Sequence, residues 1–291
     1  MSAAAALRKS EERLVEGEFA FTAGDFRRIA SLMREQTGIY LPEAKATLVY
    51  SRLAKRLRQL GLATFDAYCA LIASPDGAAE RNSMVAALTT NVTRFFREPH
   101  HFDHLREKVL PPLLEKARNG GRVRLWSSAC STGEEPYSIA LTILSLMPEA
   151  ARHDVRILAT DIDPNVVATG KAGVYSAQAV EPISSSLRDR WMTRESRADG
   201  GWRAGDEMRA LVRFNTLNLI GEWPMRGRFD AIFCRNVVIY FEQDTQDLIW
   251  GRFRDLLTPQ GRLYVGHSER VEAPGYASDG LTIYRLTGSA Q

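Results

Sequence analysis

Strand-like and helix-like segments alternate from about residue 122 to residue 287, and this alternation constrains the fold more than any other feature of the chain. Such a pattern predicts parallel strands joined by crossover helices, which is a doubly wound α/β sheet with helices on both faces. No helical pattern separates the last two strands, so the last one is predicted to join the sheet antiparallel. The predicted strands are 122–129, 155–161, 211–219, 229–236, 261–268 and 281–287, and the predicted helices are 134–147, 164–172 and 245–257.

The N-terminal part of the chain shows helical patterns and no strand pattern. Apolar residues from Phe26 to Met33 recur at helical spacing, and Gly38 is suited to end that helix. Further helices are predicted at 43–60, at 64–73 and from about residue 79. We therefore expect a disordered tail over residues 1–18, a helical domain over 19–97 and an α/β domain over 98–291.

Residues 174–212 interrupt the alternation with a polar stretch that is punctuated by glycine. A connection of that length usually has structure or function of its own. We expect a small inserted subdomain, with a helix over 184–191 and a hairpin around Gly200-Gly201.

The composition is that of an ordinary globular protein, with 45% hydrophobic and 25% charged residues, which excludes collagen-like and long disordered chains. Lys and Arg number 38 against 35 Asp and Glu, a net charge of +3 that gives no reason to expect a nucleic-acid partner. Cys69, Cys130 and Cys234 lie far apart, which favours reduced thiols over a disulfide framework or a zinc site. We expect no metal, no membrane insertion and a cytoplasmic location, since no apolar run approaches the roughly 18 residues of a membrane helix and no signal-peptide core is present.

Polar residues follow four of the predicted strands, where ligands bind in open α/β sheets. The first strand leads into a turn of small residues with Gly133, Glu134 and Glu135, and the second ends at Asp161. Asn218-Leu219 ends the third predicted strand, and Arg235 and Asn236 end the fourth. Each feature also has a structural interpretation: acids at a helix start stabilise the macrodipole, and Asp163 before Pro164 is a helix cap.

The ligand predicted from these strand ends carries a ribose and a positive charge. The dinucleotide fingerprint has three glycines, whereas this turn has only Gly133, and Glu134 and Glu135 would repel a phosphate. An acid such as Asp161 at the end of the second strand suits the two hydroxyls of a ribose. These residues favour S-adenosylmethionine over NAD.

Five segments of the chain resemble the chemotaxis receptor methyltransferase family (CheR type), whose members are S-adenosylmethionine-dependent protein-glutamate O-methyltransferases. They are TTNVTRFFREPHHF (89–102), WSSACSTGEEPYSIA (126–140), TDID (160–163), FDAIFCRNVVIYF (229–241) and GHSE (266–269). The resemblance runs from about Phe19 to Arg285 and implies a class I methyltransferase domain, a helical N-terminal domain and an inserted β-subdomain. The insert at 174–212 matches no pattern that would show whether it binds a receptor peptide.

The resemblance also implies the roles of individual residues. Arg97 and Tyr240 match positions near the transferred methyl group and are the expected catalytic residues. The expected cofactor-binding residues are Asn91, Thr93, Arg97, Glu135, Asp161, Asn218, Leu219, Asn236 and Val237.

The reaction that the resemblance implies is an in-line displacement by a glutamate carboxylate of a chemotaxis receptor. A glutamate with a pKa near 4.3 is ionised at neutral pH, so no general base is required. Thr93 and Arg97 are four residues apart, and on a helix they would share a face that could close over the cofactor.

The second predicted helix carries a basic arc that could dock the acidic helices of the receptor. Lys45, Arg52, Lys55 and Arg56 fall on this arc, and residues 45–60 contain no acid. The alternative is a solvated basic face without a partner.

Two other functions remain open at this point. A methyltransferase for nucleic acid or a small molecule would require a continuous basic cleft or another acceptor pocket. A non-enzymatic signalling adaptor would be expected to lack Asp161, Arg97 or Asn236, all of which are present. The resemblance implies a monomer.

Overall fold

The structure, a computed structural model, describes residues 12–196 and 200–288. The chain divides into two compact units, residues 1–90 with 240–242 and residues 91–239 with 243–291. The boundary thus follows Thr90, whereas the sequence predicts it after Arg97. The reason is that Asn91 and Phe96 are hydrogen-bonded within the second unit, to Ser131 and Ser138.

The described residues of the first unit contain four α-helices, close to where the sequence predicts them. They are α1 (Ala23–Thr37), α2 (Ala46–Leu60), α3 (Phe65–Ala73) and α4 (Ala78–Leu88). Thr22 and Asp25 form a capping box at the start of α1, and Thr64 caps α3. Gly38 ends α1 in the left-handed conformation, with φ of 77°, as the sequence predicts.

A short hairpin precedes α1 in a part of the chain where no strand was expected. Strand β1 (Arg13–Val15) pairs antiparallel with β2 (Phe21–Thr22). Phe21 is fully buried, and its ring lies 4.5 Å from that of Phe65, so the hairpin is attached to the helical core. Of the predicted disordered tail, residues 1–11 lie outside the described residues, and the rest includes β1.

Two arginines of α2 are engaged inside the helical unit. The Arg52 guanidinium donates to the carbonyl oxygens of Ala87, Leu88 and Thr89, at 2.7 to 3.2 Å, and so caps the end of α4. Arg56 donates to both carboxylate oxygens of the buried Glu80. Of the four residues on the basic arc predicted to dock the receptor, Lys45 and Lys55 are therefore the exposed ones.

The Arg56–Glu80 pair belongs to a small buried network with Tyr68. The Tyr68 hydroxyl donates to Glu80 at 2.9 Å, and burial together with the Glu80 charge raises the pKa of Tyr68. Arg56 and Tyr68 therefore compensate the buried charge of Glu80.

We expect Arg56→Ala to lower the free energy of unfolding by about 2 kcal/mol, because it leaves Glu80 buried with Tyr68 as its side-chain donor. Chemical denaturation of purified protein measures the effect, with Lys55→Ala, an exposed position on the same helix, as the matched control. Equal unfolding free energies for the two variants would show that the pair does not stabilise the unit.

The second unit contains a seven-stranded sheet with the spatial order β8-β4-β3-β9-β10-β12-β11. Its strands are β3 (Val123–Ser127), β4 (Val155–Asp161), β8 (Val212–Thr216), β9 (Phe229–Cys234), β10 (Leu257–Val265), β11 (Tyr276–Gly280) and β12 (Ile283–Leu286). The helices of this unit are α5 (Pro99–His104), α6 (Leu110–Arg118), α7 (Glu134–Leu146), α8 (Pro164–Ala172), α9 (Ser185–Trp191), α10 (Asp206–Leu211) and α11 (Gln243–Leu256).

The sheet has the predicted pairing, with one strand that the sequence analysis missed. Five strands from β8 to β10 are parallel, and β12 joins β10 antiparallel as predicted. The missed strand is β11, which pairs antiparallel with β12 at the edge. Its sequence, YASDG, is polar because an edge strand is largely exposed, so it lacks the apolar pattern of the other strands.

The insert forms a separate three-stranded sheet of order β5-β7-β6. Its strands are β5 (Val174–Tyr175), β6 (Met192–Arg194) and β7 (Trp202–Ala204), and α9, which lies between β5 and β6 in the sequence, is close to the predicted helix. Strands β6 and β7 pair antiparallel as a hairpin, and residues 197–199 of its connection lie outside the described residues. No helix in the described parts of the chain is long and apolar enough to span a membrane.

Candidate active site

The turn between β3 and α7 has a backbone that only glycine fits at its last position. Gly133 has φ of 100°, and a Cβ there would lie 2.7 Å from the Tyr175 hydroxyl and 2.9 Å from the Gly170 Cα. Ser131 in the same turn also has a positive φ, of 48°. The small residues of this turn therefore let α7 begin directly behind the end of β3.

Asp161 at the end of β4 is bound to the same turn. Its carboxylate accepts from the Ser131 backbone N–H at 2.8 Å and from the Asp163 N–H at 3.1 Å. Burial raises the pKa of Asp161, and these two hydrogen bonds act against that shift. The Asp163 side chain caps α8 by accepting from the Asn165 N–H, as the sequence predicts.

Glu135 is held by fixed donors in the first turn of α7. The Ser127 hydroxyl donates to one carboxylate oxygen at 2.7 Å, and the Arg235 guanidinium donates to the other at 2.9 Å. Burial raises the pKa of Glu135, while Arg235 and Ser127 lower it. A carboxylate has about four lone-pair sites, so these two bonds fix its position and leave capacity for a ligand.

The segment that carries Asn91, Thr93 and Arg97 is not helical, so the prediction that Thr93 and Arg97 share a helix face is wrong. Glu98 has φ of 58°, and α5 begins only at Pro99. The residue before a proline is disfavoured in the helical region, which accounts for the difference. The Arg97 side chain instead folds back onto its own segment, where it donates to the Val92 carbonyl at 2.9 Å.

Arg235, directly after β9, is the centre of a buried charge cluster. Its side chain is 2% exposed and contacts Glu135 and also Glu98, at 3.3 Å, and it donates to the Arg97 carbonyl. Glu98 additionally accepts from the His267 N–H at 3.2 Å. Burial alone would raise the pKa of Glu98, but Arg235 and the His267 hydrogen bonds outweigh it and lower that pKa to about 2.

The remaining predicted cofactor residues lie in turns after β8 and β9. The Asn218 side chain accepts from the Ile220 N–H at 3.1 Å, and the Leu219 carbonyl accepts from Trp223 and Arg252. Asn236 begins the turn after β9, and its side-chain amide lies 3.5 Å from Glu98.

The nine predicted cofactor-binding residues all belong to the second unit. Six of them lie at or just after the carboxyl ends of β3, β4, β8 and β9, namely Glu135, Asp161, Asn218, Leu219, Asn236 and Val237. Asn91 and Asp161 meet through Ser131, while Arg97, Glu135 and Asn236 meet through Arg235 and Glu98. Tyr240, the second predicted catalytic residue, groups with the first unit, where its carbonyl accepts from the Tyr40 N–H.

Three charged residues that organise this region are not among the expected catalytic or cofactor-binding residues, although Arg235 is one of the polar residues noted at the predicted strand ends. Glu98, Arg235 and Glu269 all lie in quoted motifs, and each is largely buried. The detectable signal was the charge placed directly after an apolar strand, as at Arg235 in FDAIFCRN.

The donor set fits S-adenosylmethionine. The carboxylates of Glu134, Glu135 and Asp161 lie in or against the turn after β3, where acids suit ribose hydroxyls and a sulfonium or ammonium charge and disfavour phosphate. The sheet order and this site define a class I S-adenosylmethionine-dependent methyltransferase.

Comparison with known proteins identifies the family. Residues 91–279 match the family described as CheR methyltransferase, SAM binding domain, and residues 24–89 match CheR methyltransferase, all-alpha domain. The chain belongs to the CheR methyltransferase family.

Relatives resemble the chain over nearly its whole length. A probable chemotaxis protein methyltransferase of Rhizobium etli is 53% identical over 260 residues, covering 88% of this chain and 97% of that protein. The chemotaxis protein methyltransferases of Klebsiella aerogenes and Escherichia coli are 42% and 39% identical, covering 90% and 92% of this chain and 89% and 92% of those proteins.

The Glu98–Arg235 contact predicts that the folding stability contributed by Glu98 decreases at acid pH. The pKa of Glu98 is lowered in the folded state, so its stabilising contribution is complete above the unfolded value of about 4.5 and is lost as the pH falls toward 2. Urea unfolding at several pH values should therefore show the stability difference between the native protein and Glu98→Gln shrinking on acidification. Glu115→Gln, at an exposed position of α6, is the control. A difference independent of pH would contradict the assignment.

Proposed function

We propose that this enzyme transfers the methyl group of S-adenosylmethionine to glutamate side chains on the cytoplasmic helical domain of methyl-accepting chemotaxis receptors. The products are glutamate methyl esters, used in sensory adaptation. The observation that carries the proposal is the match of both the all-alpha domain and the methyltransferase domain, in one chain, to proteins named chemotaxis protein methyltransferase. In this proposal the protein works in the cytoplasm as a monomer.

The cofactor is assigned to the second unit. Asp161 receives the ribose hydroxyls, because it is an acid at the end of the second strand of the fold beside a turn of small residues. Asn218 and Leu219 serve the adenine, since Trp223 and Arg252 fix the Leu219 carbonyl. The other proposed cofactor contacts are Asn91, Thr93, Arg97, Glu135, Asn236 and Val237.

The proposed reaction needs orientation and charge stabilisation rather than a proton acceptor. The cofactor supplies an electrophilic methyl group; the C–S bond breaks with its electron pair left on sulfur, and an O–C bond forms to the receptor carboxylate. The acceptor is already ionised at neutral pH, so no proton moves. This agrees with a site whose carboxylates Glu98 and Glu135 are occupied by Arg235. Arg97 orients the incoming carboxylate, with Tyr240 as the second catalytic residue.

The proposed receptor-docking surface is the basic side of α2. Lys45 and Lys55 are exposed there and are the main contributors of free positive charge, while Arg52 and Arg56 hold the helical unit together. An acidic receptor helix would be attracted to such a surface in a salt-dependent way.

Methyl transfer from radiolabelled S-adenosylmethionine into membranes of the source organism tests the function. We expect base-labile, volatile label, released as methanol from glutamate methyl esters. Arg97→Ala should lower kcat/KM at least about tenfold by removing a charge that acts on the reacting carboxylate. Arg94→Ala, at an exposed position in the same segment, is the matched control.

The result has clear alternatives. Label that is stable to base would move the acceptor to nitrogen or another atom and contradict glutamate esterification. Unchanged kcat/KM in Arg97→Ala would contradict the role of Arg97. Whether the product is a glutamate methyl ester would then be decided by the release of label in base alone.

The docking surface is tested by reversing the two exposed charges. Lys45→Glu with Lys55→Glu should raise the KM for receptor membranes several-fold and weaken its dependence on salt, with the KM for the cofactor unchanged. Arg27→Glu, an exposed reversal on α1, is the control for net charge. If the double variant and the control have the same receptor KM at low salt, α2 does not dock the receptor through these lysines.

A further inference from the structure

We infer that Glu269 is a positioning residue for cofactor binding, because its buried carboxylate builds the turn that carries Asn236 and Val237. The inference deepens the proposed function and rests on its assignment of those two residues to the cofactor. Nothing in the sequence pattern marks Glu269 beyond its place in GHSE, just after β10.

Four backbone N–H groups converge on this one side chain. One carboxylate oxygen accepts from Asn236 at 2.8 Å and from Gly266 at 2.5 Å. The other oxygen accepts from Val237 at 2.8 Å and from Val238 at 2.9 Å. Glu269 thus satisfies three successive amides of the turn after β9 and joins them to the end of the neighbouring strand.

The turn has a backbone conformation that requires such support. Asn236 has φ of 58°, in the left-handed region that residues other than glycine seldom adopt. Gly266 must lack a side chain, since a Cβ there would lie 2.8 Å from the Asn236 nitrogen and 2.8 Å from a Glu269 oxygen. The turn after β9 and the residue that follows β10 therefore lie close enough together for the Glu269 carboxylate to accept from both.

The charge of Glu269 matters as well as its shape. The residue is 3% exposed, and burial raises its pKa while the four N–H groups act against that shift. A glutamine in its place would turn its amide N–H₂ toward two backbone N–H groups, which repel it. Glu269 accordingly acts through the turn rather than by touching the ligand, and its loss should misplace Asn236 and Val237.

The test compares Glu269→Gln with Glu272→Gln, an exposed control three residues further along. Calorimetry should show S-adenosylhomocysteine binding weakened about tenfold in Glu269→Gln, as expected for a misplaced binding group. The KM for S-adenosylmethionine should rise with it while the KM for receptor membranes stays unchanged, a split that general destabilisation would not produce. Equal affinities in the two variants would overturn the inference.

Two further measurements distinguish a failure of the positioning role of Glu269 from a failure of the cofactor assignment. Asn236→Ala tests the cofactor assignment itself: unchanged binding there would refute the assignment, whereas weakened binding there with normal binding in Glu269→Gln would refute the positioning role alone. Hydrogen exchange in the unsubstituted, ligand-free protein needs no variant to fold. The amides of Asn236, Val237 and Val238 should be protected, and exchange at unstructured rates would overturn the inference.

Discussion

The arrangement at the carboxyl end of the sheet depends on one buried cation, the guanidinium of Arg235. It contacts Glu135 in α7, and it also contacts Glu98 and the Arg97 carbonyl in the segment before α5, so it joins these two segments to the end of β9. Two carboxylates share this single cation, and removing it would leave uncompensated charge in the interior. A carboxylate with a pKa of about 2, such as Glu98, is also a poor proton acceptor, which is compatible with the proposed reaction, in which no proton moves.

Local signals account for the parts of the fold that were predicted closely. Strand β4 and helix α8 have the predicted bounds, because an apolar run ends at Asp161 and Asp163-Pro164 is a strong helix start. The helices of the first unit were found through their caps and their apolar spacing. The class of cofactor followed from residue types at strand ends, since parallel strands bring those ends to one edge of the sheet.

The missed features depend on contacts that are distant in sequence or on exposed backbone. Strands β1 and β2 have only three and two residues, and β11 is polar, so no alternation marks them. The environment of Arg97 could not be predicted because its backbone partner, Arg235, lies 138 residues away. In the same way, a helical wheel of α2 shows Arg52 and Arg56 as free charges, whereas α4 supplies the groups that bind both.

The unit boundary after Thr90 separates the proposed docking residues from the proposed cofactor-binding residues. Every proposed cofactor contact lies in residues 91–239, and the exposed lysines of the docking surface lie in residues 1–90. Under the proposed function, substitutions of the docking lysines would alter receptor binding without altering the residues proposed to hold the methyl donor. A lineage with several receptor systems could then diversify paralogues of such a chain in the smaller unit while the larger unit stays nearly constant.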